Sequence, residues 1–360
     1  MENSIKNIWR KRPLIISGPC SAETEAQVMQ TSTELAAIGK IDVLRAGIWK
    51  PRTKPGMFEG VGEPGLEWLM HAKKETGLPI TVEVATGKHA ESALKYGVDI
   101  LWIGARTTVN PFSVQEVADA LKGVDIPVLV KNPINPDLEL WSGALERLQK
   151  VGLEDVGMIH RGFSSYGNTE YRNAPMWHLP IEMKRRHPEM LLICDPSHIC
   201  GNRSLLQQVA QKSIDLDFGG IMLESHIDPD NAWSDAKQQI TPQQFKKMLD
   251  TLVWRVSDEP EATELSLLRE RIDQVDDELL SLLGRRMKIA DQIGTFKKNN
   301  NLTILQTIRW NEILTRAMEK GESLILSKEF LIKYFDAVHM ESIQHQNKIM
   351  NGPGNKLNNL

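Results

Sequence analysis

The sequence predicts a (β/α)8 barrel, an α/β fold, followed by a separate all-α helical domain. Eight short β-branched runs alternate with amphipathic stretches from Leu14 to about Ser225. Their starts recur roughly every 20 to 35 residues, the length of one βα unit. Beyond the segment SDEPEAT the β-like runs stop, and apolar residues fall at helical spacing instead.

In chain order the runs are LIISGPCS, VLRAG, ITVEV, ILWIGA, PVLVKN, VGMIHRG, LLICDPS and GIMLES. Each is short and apolar, as strands covered by helices on a parallel sheet must be. Eight regular units suggest closure into a barrel. The rival, a doubly wound open sheet, usually carries a glycine-rich nucleotide turn after its first strand, and here GPCSAE stands instead. About 13 residues precede the first strand. They read as a basic lead-in without a cleavage-type signal, leaving no room for an N-terminal regulatory domain. The barrel is expected over residues 1–256. SDEPEAT, residues 257–263, mixes proline with acidic residues as an interdomain linker would. From 264 to 350, Leu265, Leu268, Ile272, Val275, Leu279, Leu282 and Leu283 follow three-and-four spacing. That spacing predicts one long helix to about Lys298, breaks at NNN and EKGES, and two shorter helices. The last stretch, NGPGNKLNNL at 351–360, is expected to be a disordered tail.

Apolar content of 41% and charged content of 25% exclude a disordered or fibrous chain. A net charge of -4 and a pI near 6.2 supply no general attraction for nucleic acid, and no apolar stretch reaches the length of a membrane span. Small molecules are the expected partners and the cytoplasm the expected compartment. The three cysteines, Cys20, Cys194 and Cys200, are too few and odd in number for a disulfide framework. A special cysteine here would be a ligand or a nucleophile.

Barrel chemistry sits where strands end. The ends offer Cys20, Arg45 with Lys50 and Arg52, Glu83, Arg106, Lys131, His160 with Arg161, Asp195 with His198, and Glu224 with His226. Any one of these alone would be an ordinary rim salt bridge; so many convergent sets are not. Arg106, Lys131 and Arg161 end consecutive strands, so their cations would face one cavity and favour a phosphate or carboxylate. Cys20, His198, Glu224 and Asp235 offer a thiolate, an imidazole and two carboxylates from strands one, seven and eight, which are neighbours in a closed barrel. That set predicts a divalent metal site. Mixed sulfur, nitrogen and oxygen ligands suit manganese, iron, cobalt or zinc rather than magnesium or calcium. Cys194 and Cys200 lack this arrangement and are expected to act as small buried hydrophobes. His160 and His226 are expected to support neighbours from behind or to sit satisfied in the core.

On the long helix, Arg269 and Arg286 lie roughly 25 Å apart along the axis, too far to grip one small ligand. Arg286 and Lys297 lie roughly 16 Å apart and nearly in phase. If Arg269 serves the same pocket it comes from another chain, and an intertwined homodimer through the helical domain is the simplest expectation.

These residues resemble a known family. GPCS, KPRT at 50–53, IGAR at 103–106, DPSH at 195–198 and SDAKQQ at 234–239 are similar to 3-deoxy-arabino-heptulosonate 7-phosphate (DAHP) synthases of the short, type I beta class. The resemblance covers about Leu14 to Val256. KPRT separates that class from the related octulosonate 8-phosphate synthases. It implies condensation of phosphoenolpyruvate with erythrose 4-phosphate, using a divalent metal for which manganese is the first expectation. Arg52 and Thr53 would bind erythrose 4-phosphate, while Arg106, Lys131 and Arg161 would hold the phosphate of phosphoenolpyruvate. Arg45 and Lys50 would reach its carboxylate or the aldehyde. Glu83 would stabilise developing charge or position water, or else pair with Lys50 or Lys131. KNP at 131–133 departs from the KRG of many relatives, removing a neighbouring positive charge.

With Arg309 and ESIQHQ at 341–346, the helical segment resembles the all-helical chorismate mutases. The resemblance implies Arg269 from a partner, then Arg286, Lys297, Arg309, Ser342 and Gln346 around a dicarboxylate, with Lys297 and Gln346 on the ether oxygen. Gln306 stands where an acidic residue is common, and Trp310 replaces a glutamate that usually contacts the substrate hydroxyl. The two implied reactions are not consecutive, so the fusion points to regulation, with prephenate as the expected effector. Two alternatives stay open: an aldolase with a Schiff base on Lys131, or an octulosonate-type barrel carrying a catalytically silent helical sensor or dimerisation domain.

Overall fold

The computed structural model describes residues 2–51, 56–167, 170–255 and 263–352. Arg52, Thr53, most of the expected linker and residues 353–360 of the expected tail lie outside the described residues. The chain forms two compact units, Met1–Ser257 and Asp258–Leu360.

The first unit opens with α1 (Glu2–Arg10), β1 (Leu14–Gly18), α2 (Glu25–Ala36), β2 (Val43–Ala46), α3 (Pro64–Thr76), β3 (Ile80–Val84) and α4 (Gly87–Tyr96). It continues through β4 (Ile100–Ile103), α5 (Ala105–Thr108), α6 (Pro111–Ala120), β5 (Val128–Lys131), α7 (Leu138–Lys150), β6 (Val156–His160) and α8 (His178–Arg186). It closes with β7 (Leu192–Cys194), α9 (Pro196–Cys200), α10 (Leu206–Asp215), β8 (Gly220–Glu224) and α11 (Pro242–Thr251). The strands form a closed barrel in sequence order, all parallel, and β1 pairs with β8 so that Gly18 faces Glu224 across the seam. All eight expected runs are strands. Thr24, Thr86, Asn110, Asp137 and Thr241 cap the helices that follow them, each accepting a first-turn backbone N–H.

Alternation along each strand divides the apolar residues into two cores. Ile15, Leu44, Val82, Ile103 and Val130 pack outward against the helices. Leu14, Ile16, Val43, Trp102, Leu129, Ile193 and Met222 belong to a second cluster that fills the barrel, and Trp9 of α1 joins it. Trp9 is 6% exposed and packs with Leu14 and Val43, at the starts of their strands, so α1 plugs the barrel's N-terminal end. This helix was expected to be only a lead-in. Its basic residues hide a short amphipathic pattern, in which Ile5, Ile8 and Trp9 share one face.

The second unit is α12 (Thr263–Asn299), α13 (Thr307–Ser323) and α14 (Lys328–Asn351). Gly294 lets α12 approach α14 closely, since a Cβ there would stand 3.1 Å from the Cα of Gln346. The N-terminal half of α12 carries Leu267, Leu268, Ile272, Val275 and Leu280, which are 46–66% exposed. No described helix is long and apolar enough to cross a membrane.

Candidate functional site

The strand ends converge on a cavity of about 450 Å³ lined by Lys50, Glu83, Arg106, Lys131, Arg161, Arg172, His198 and Asp235. Beneath the lining, as a buried floor to the charged groups, lies Trp102 of β4. The Arg45 guanidinium lies 4.8 Å from the indole centre and the Lys131 ammonium 5.9 Å from it, an arrangement the negative ring face favours. Trp102 Nε1 donates to Glu83 Oε2 at 3.2 Å. Glycine at 104 makes room for this carboxylate, because a Cβ there would fall 1.9 Å from Glu83 Oε1. Glu83 was expected to pair with a lysine if it played no catalytic part. Its partner here is the floor tryptophan, and Lys131 instead stands 2.8 Å from Asp195.

On one side of the floor the thiol of Cys20 and the carboxylates of Glu224 and Asp235 lie within 4.8 Å of one another. His198 Nε2 is 3.8 Å from Glu224 Oε1, while its Nδ1 is 2.8 Å from Asp195 Oδ2. The β7 turn builds this: Asp195 caps α9 by accepting the His198 backbone N–H, which brings the imidazole back over its own carboxylate. Glu224 Oε2 accepts from Gln238 Nε2 at 2.6 Å, whereas Oε1 is buried without a hydrogen-bond partner, 3.4 Å from Arg45 Nη2. Asp235 has a left-handed backbone, φ 48°, and accepts from Arg172 Nη1 at 2.9 Å. Arg172 also donates to Gln238 Oε1, tying the β8 loop to the segment after β6.

Burial pushes the Cys20 thiol up to about 12, and the nearby Glu224 carboxylate adds to it. Burial also works against the Asp195 charge, but His198 and Lys131 outweigh it and hold that carboxyl well below its usual range. Glu224 is lowered in the same way, with His198 and Arg45 overcoming burial. The orphaned Glu224 oxygen, the packed sulfur and oxygen donors and the adjacent imidazole fit a divalent transition metal. A cation there would favour the Cys20 thiolate that burial disfavours.

On the other side stand the cations. Lys131 ends β5, Arg161 follows β6, and Arg106 sits in the first turn after β4. Burial lowers the Arg161 pKa to about 10. Lys50 leans the opposite way, donating to the Cys20 carbonyl oxygen and, at 3.1 Å, to Cys20 Sγ. His160 turns outward among Phe163, Trp177 and Phe218, and burial drives its pKa down to about 3. His226 lies 3.4 Å from buried Glu23, which also accepts the Trp233 backbone N–H and so holds the loop carrying Asp235. Cys194 and Cys200 are buried in the outer core. Trp102, Arg172, Gln238 and Glu23 escaped the sequence reading. Only Gln238 had a signal, as part of SDAKQQ.

In the helical unit, Arg286 of α12 donates to Ser342 Oγ and, at 3.3 Å, to the Val338 carbonyl of α14. Lys297 and Gln346 are 7% and 8% exposed, and Gln346 Oε1 is buried without a partner. Lys297 Nζ donates to the Ile304 carbonyl. Arg309 is exposed and pairs with Glu312 on its own helix at 2.7 Å. Arg269 is exposed on the N-terminal half of α12.

Family comparisons agree with both units. The model of the DAHP synthetase I family matches residues 4–259, and that of chorismate mutase type II matches residues 268–347. A phospho-2-dehydro-3-deoxyheptonate aldolase of Thermotoga maritima is 31% identical over 238 residues, covering 66% of this chain and 68% of that protein. A 2-dehydro-3-deoxyphosphooctonate aldolase of Polaromonas naphthalenivorans is 28% identical, covering 66% of this chain and 88% of that protein. The crystal structure of a DAHP synthase of Thermotoga maritima superposes with a TM-score of 0.59 at 30% identity, over 66% of this chain and 67% of that one. A barrel closed in sequence order and a family model spanning well over half of the sequence lead to one assignment: the chain belongs to the DAHP synthetase I family and carries a chorismate mutase type II domain after the barrel in sequence.

Proposed function

We propose that the barrel condenses phosphoenolpyruvate with erythrose 4-phosphate in a metal-dependent reaction, and that the helical unit rearranges chorismate to prephenate. What supports the first half is one cavity with a sulfur and carboxylate donor cluster on one side and Arg106, Lys131 and Arg161 on the other. Those three cations hold the phosphate of phosphoenolpyruvate, and Arg45 and Lys50 reach its carboxylate or the aldehyde. Arg52 and Thr53 take the sugar phosphate. A divalent ion held by Cys20, His198, Glu224 and Asp235, manganese first and otherwise iron, cobalt or zinc, supplies Lewis acidity toward the aldehyde oxygen. C3 of phosphoenolpyruvate attacks the aldehyde carbon, water adds at C2, and phosphate leaves with cleavage of its C–O bond. Glu83, fixed by the Trp102 N–H, positions that water and steadies the positive charge developing at C2.

Phosphate release is expected only with both substrates present, to stop on treatment with EDTA and to return with a divalent transition metal. Activity that survives EDTA, together with borohydride trapping of Lys131, would instead make the barrel a Schiff-base aldolase.

In the helical unit Arg286, Lys297 and Arg309, with Arg269 of a second copy, meet the two carboxylates, while Lys297 and Gln346 donate to the ether oxygen as its bond to carbon breaks. The exposed apolar stripe of α12 is the surface a second copy covers. Light scattering should therefore give twice the 40.6 kDa chain mass, and Val275→Asp should shift it toward monomer while lowering mutase turnover.

Prephenate bound in the helical unit is the expected brake on the barrel, in the cytoplasm where both reactions run. Saturating prephenate should lower the synthase rate, and removal of residues 258–360 should leave a barrel that no longer responds. Linkage requires synthase ligands to change prephenate affinity by the same factor, commonly worth about 1 to 3 kcal/mol.

A further inference from the structure

The helical unit holds a polar group that the contacts assigned above leave unused. His339 of α14 lies one turn before Ser342 and two turns before Gln346, on the helix face that carries both. Its imidazole stacks on the indole of Trp310 from α13, with ring centres 4.1 Å apart and planes 16° from parallel. Nε2 is buried and has no hydrogen-bond partner. Burial lowers the His339 pKa, Arg286 and Lys297 of α12 lower it further, and Asp336 on its own helix opposes them. The ring is therefore neutral at neutral pH. A buried nitrogen left unpaired costs free energy unless something completes it.

Substrate chemistry identifies what completes it. Chorismate presents two carboxylates, an ether oxygen and one secondary hydroxyl. Guanidinium and ammonium groups only donate, which matches the carboxylates and the ether, whereas the hydroxyl proton calls for an acceptor. Two buried side-chain acceptors among the described residues of this unit lack a partner, Gln346 Oε1 and His339 Nε2, and the Gln346 amide is already engaged through its N–H at the ether oxygen. Trp310 can only donate through its ring nitrogen, and one of its faces is covered by His339. A neutral imidazole can accept or donate at Nε2. We propose that His339 is a substrate-binding residue of the rearrangement site, its Nε2 pairing with the ring hydroxyl of chorismate and of prephenate while Trp310 fixes the plane of the imidazole. The pair meets the hydroxyl without setting a carboxylate beside the two that the substrate brings. The assignment rests on the mutase reading of this domain.

The test uses full-length protein and two bicyclic ether dicarboxylates, identical except that one carries the secondary hydroxyl. Wild type should bind the hydroxylated compound about 10- to 100-fold more tightly, the effect of one buried hydrogen-bonding group left unsatisfied. His339→Leu should lose that preference and lower mutase kcat/KM by a similar factor. His339→Gln, whose amide reaches the Nε2 position, should keep most of both, whereas His339→Asn, whose amide falls short, should not. Equal weakening for the two compounds, or a preference that survives in His339→Leu, would reduce His339 to packing and overturn the proposal. Should His339→Leu melt early, the Gln and Asn variants decide: a preference kept in Gln and lost in Asn supports the assignment, and identical behaviour refutes it. A wild type that binds both compounds but turns over no chorismate would strike the mutase reading instead, while the two affinities would still judge His339.

Discussion

Replacing Cys20 by alanine is expected to abolish synthase turnover, lowering phosphate release by at least ~10³-fold, because loss of a Lewis acid forfeits several kcal/mol of transition-state stabilisation. Metal per barrel, measured by atomic emission, should fall with it. The fold should survive. Cys20 is fully buried at a strand end, alanine leaves only a small void, and its backbone N–H keeps its bond to Gln239 Oε1. His198→Ala should behave alike, since Asp195 retains Lys131 as a partner. A metal-free Cys20→Ala protein with full activity would remove the metal corner from the mechanism.

Arg286→Ala should cost mutase turnover about 10²-fold or more, because a charge-assisted contact to a buried carboxylate has no substitute. Synthase chemistry without effector should be unchanged, so one preparation assayed for both reactions gives its own control. Arg286 also joins α12 to α14 through Ser342 and Val338. Circular dichroism should therefore accompany the assay, with Arg286→Lys as the companion variant that keeps the charge but not the planar fork. Normal rearrangement of chorismate by Arg286→Ala would refute the assigned site.

The barrel was legible because each strand is a compact apolar run and nothing competes with that signal. Cys20, Arg45, Lys131, Arg161 and Glu224 were legible for the related reason that a charged or thiol side chain closing such a run has few places to point. Trp102 was not: inside ILWIGA an indole looks like one more core residue, and nothing local says that two cations will settle on its face. Arg172 lies in an irregular stretch whose path is set by long-range bonds to Asp235 and Gln238, which no periodicity encodes. His339 and Trp310 meet only when α13 folds against α14, so neither residue marks the other in sequence. Helix α1 was missed because it is short and polar residues outnumber its apolar ones.

The indole of Trp9 at the barrel's N-terminal end has a bearing on kinetics. With that end filled, reactants and products share a single mouth. Lys131, 3% exposed, lies deep in the cavity, so the reactant it holds is the inner one. A vestibule entered from one side works as a stack: the reactant seated against Lys131 must arrive before the one that covers it, and it leaves only after the cover has gone. Initial-rate patterns should therefore be sequential with a compulsory order, phosphoenolpyruvate first.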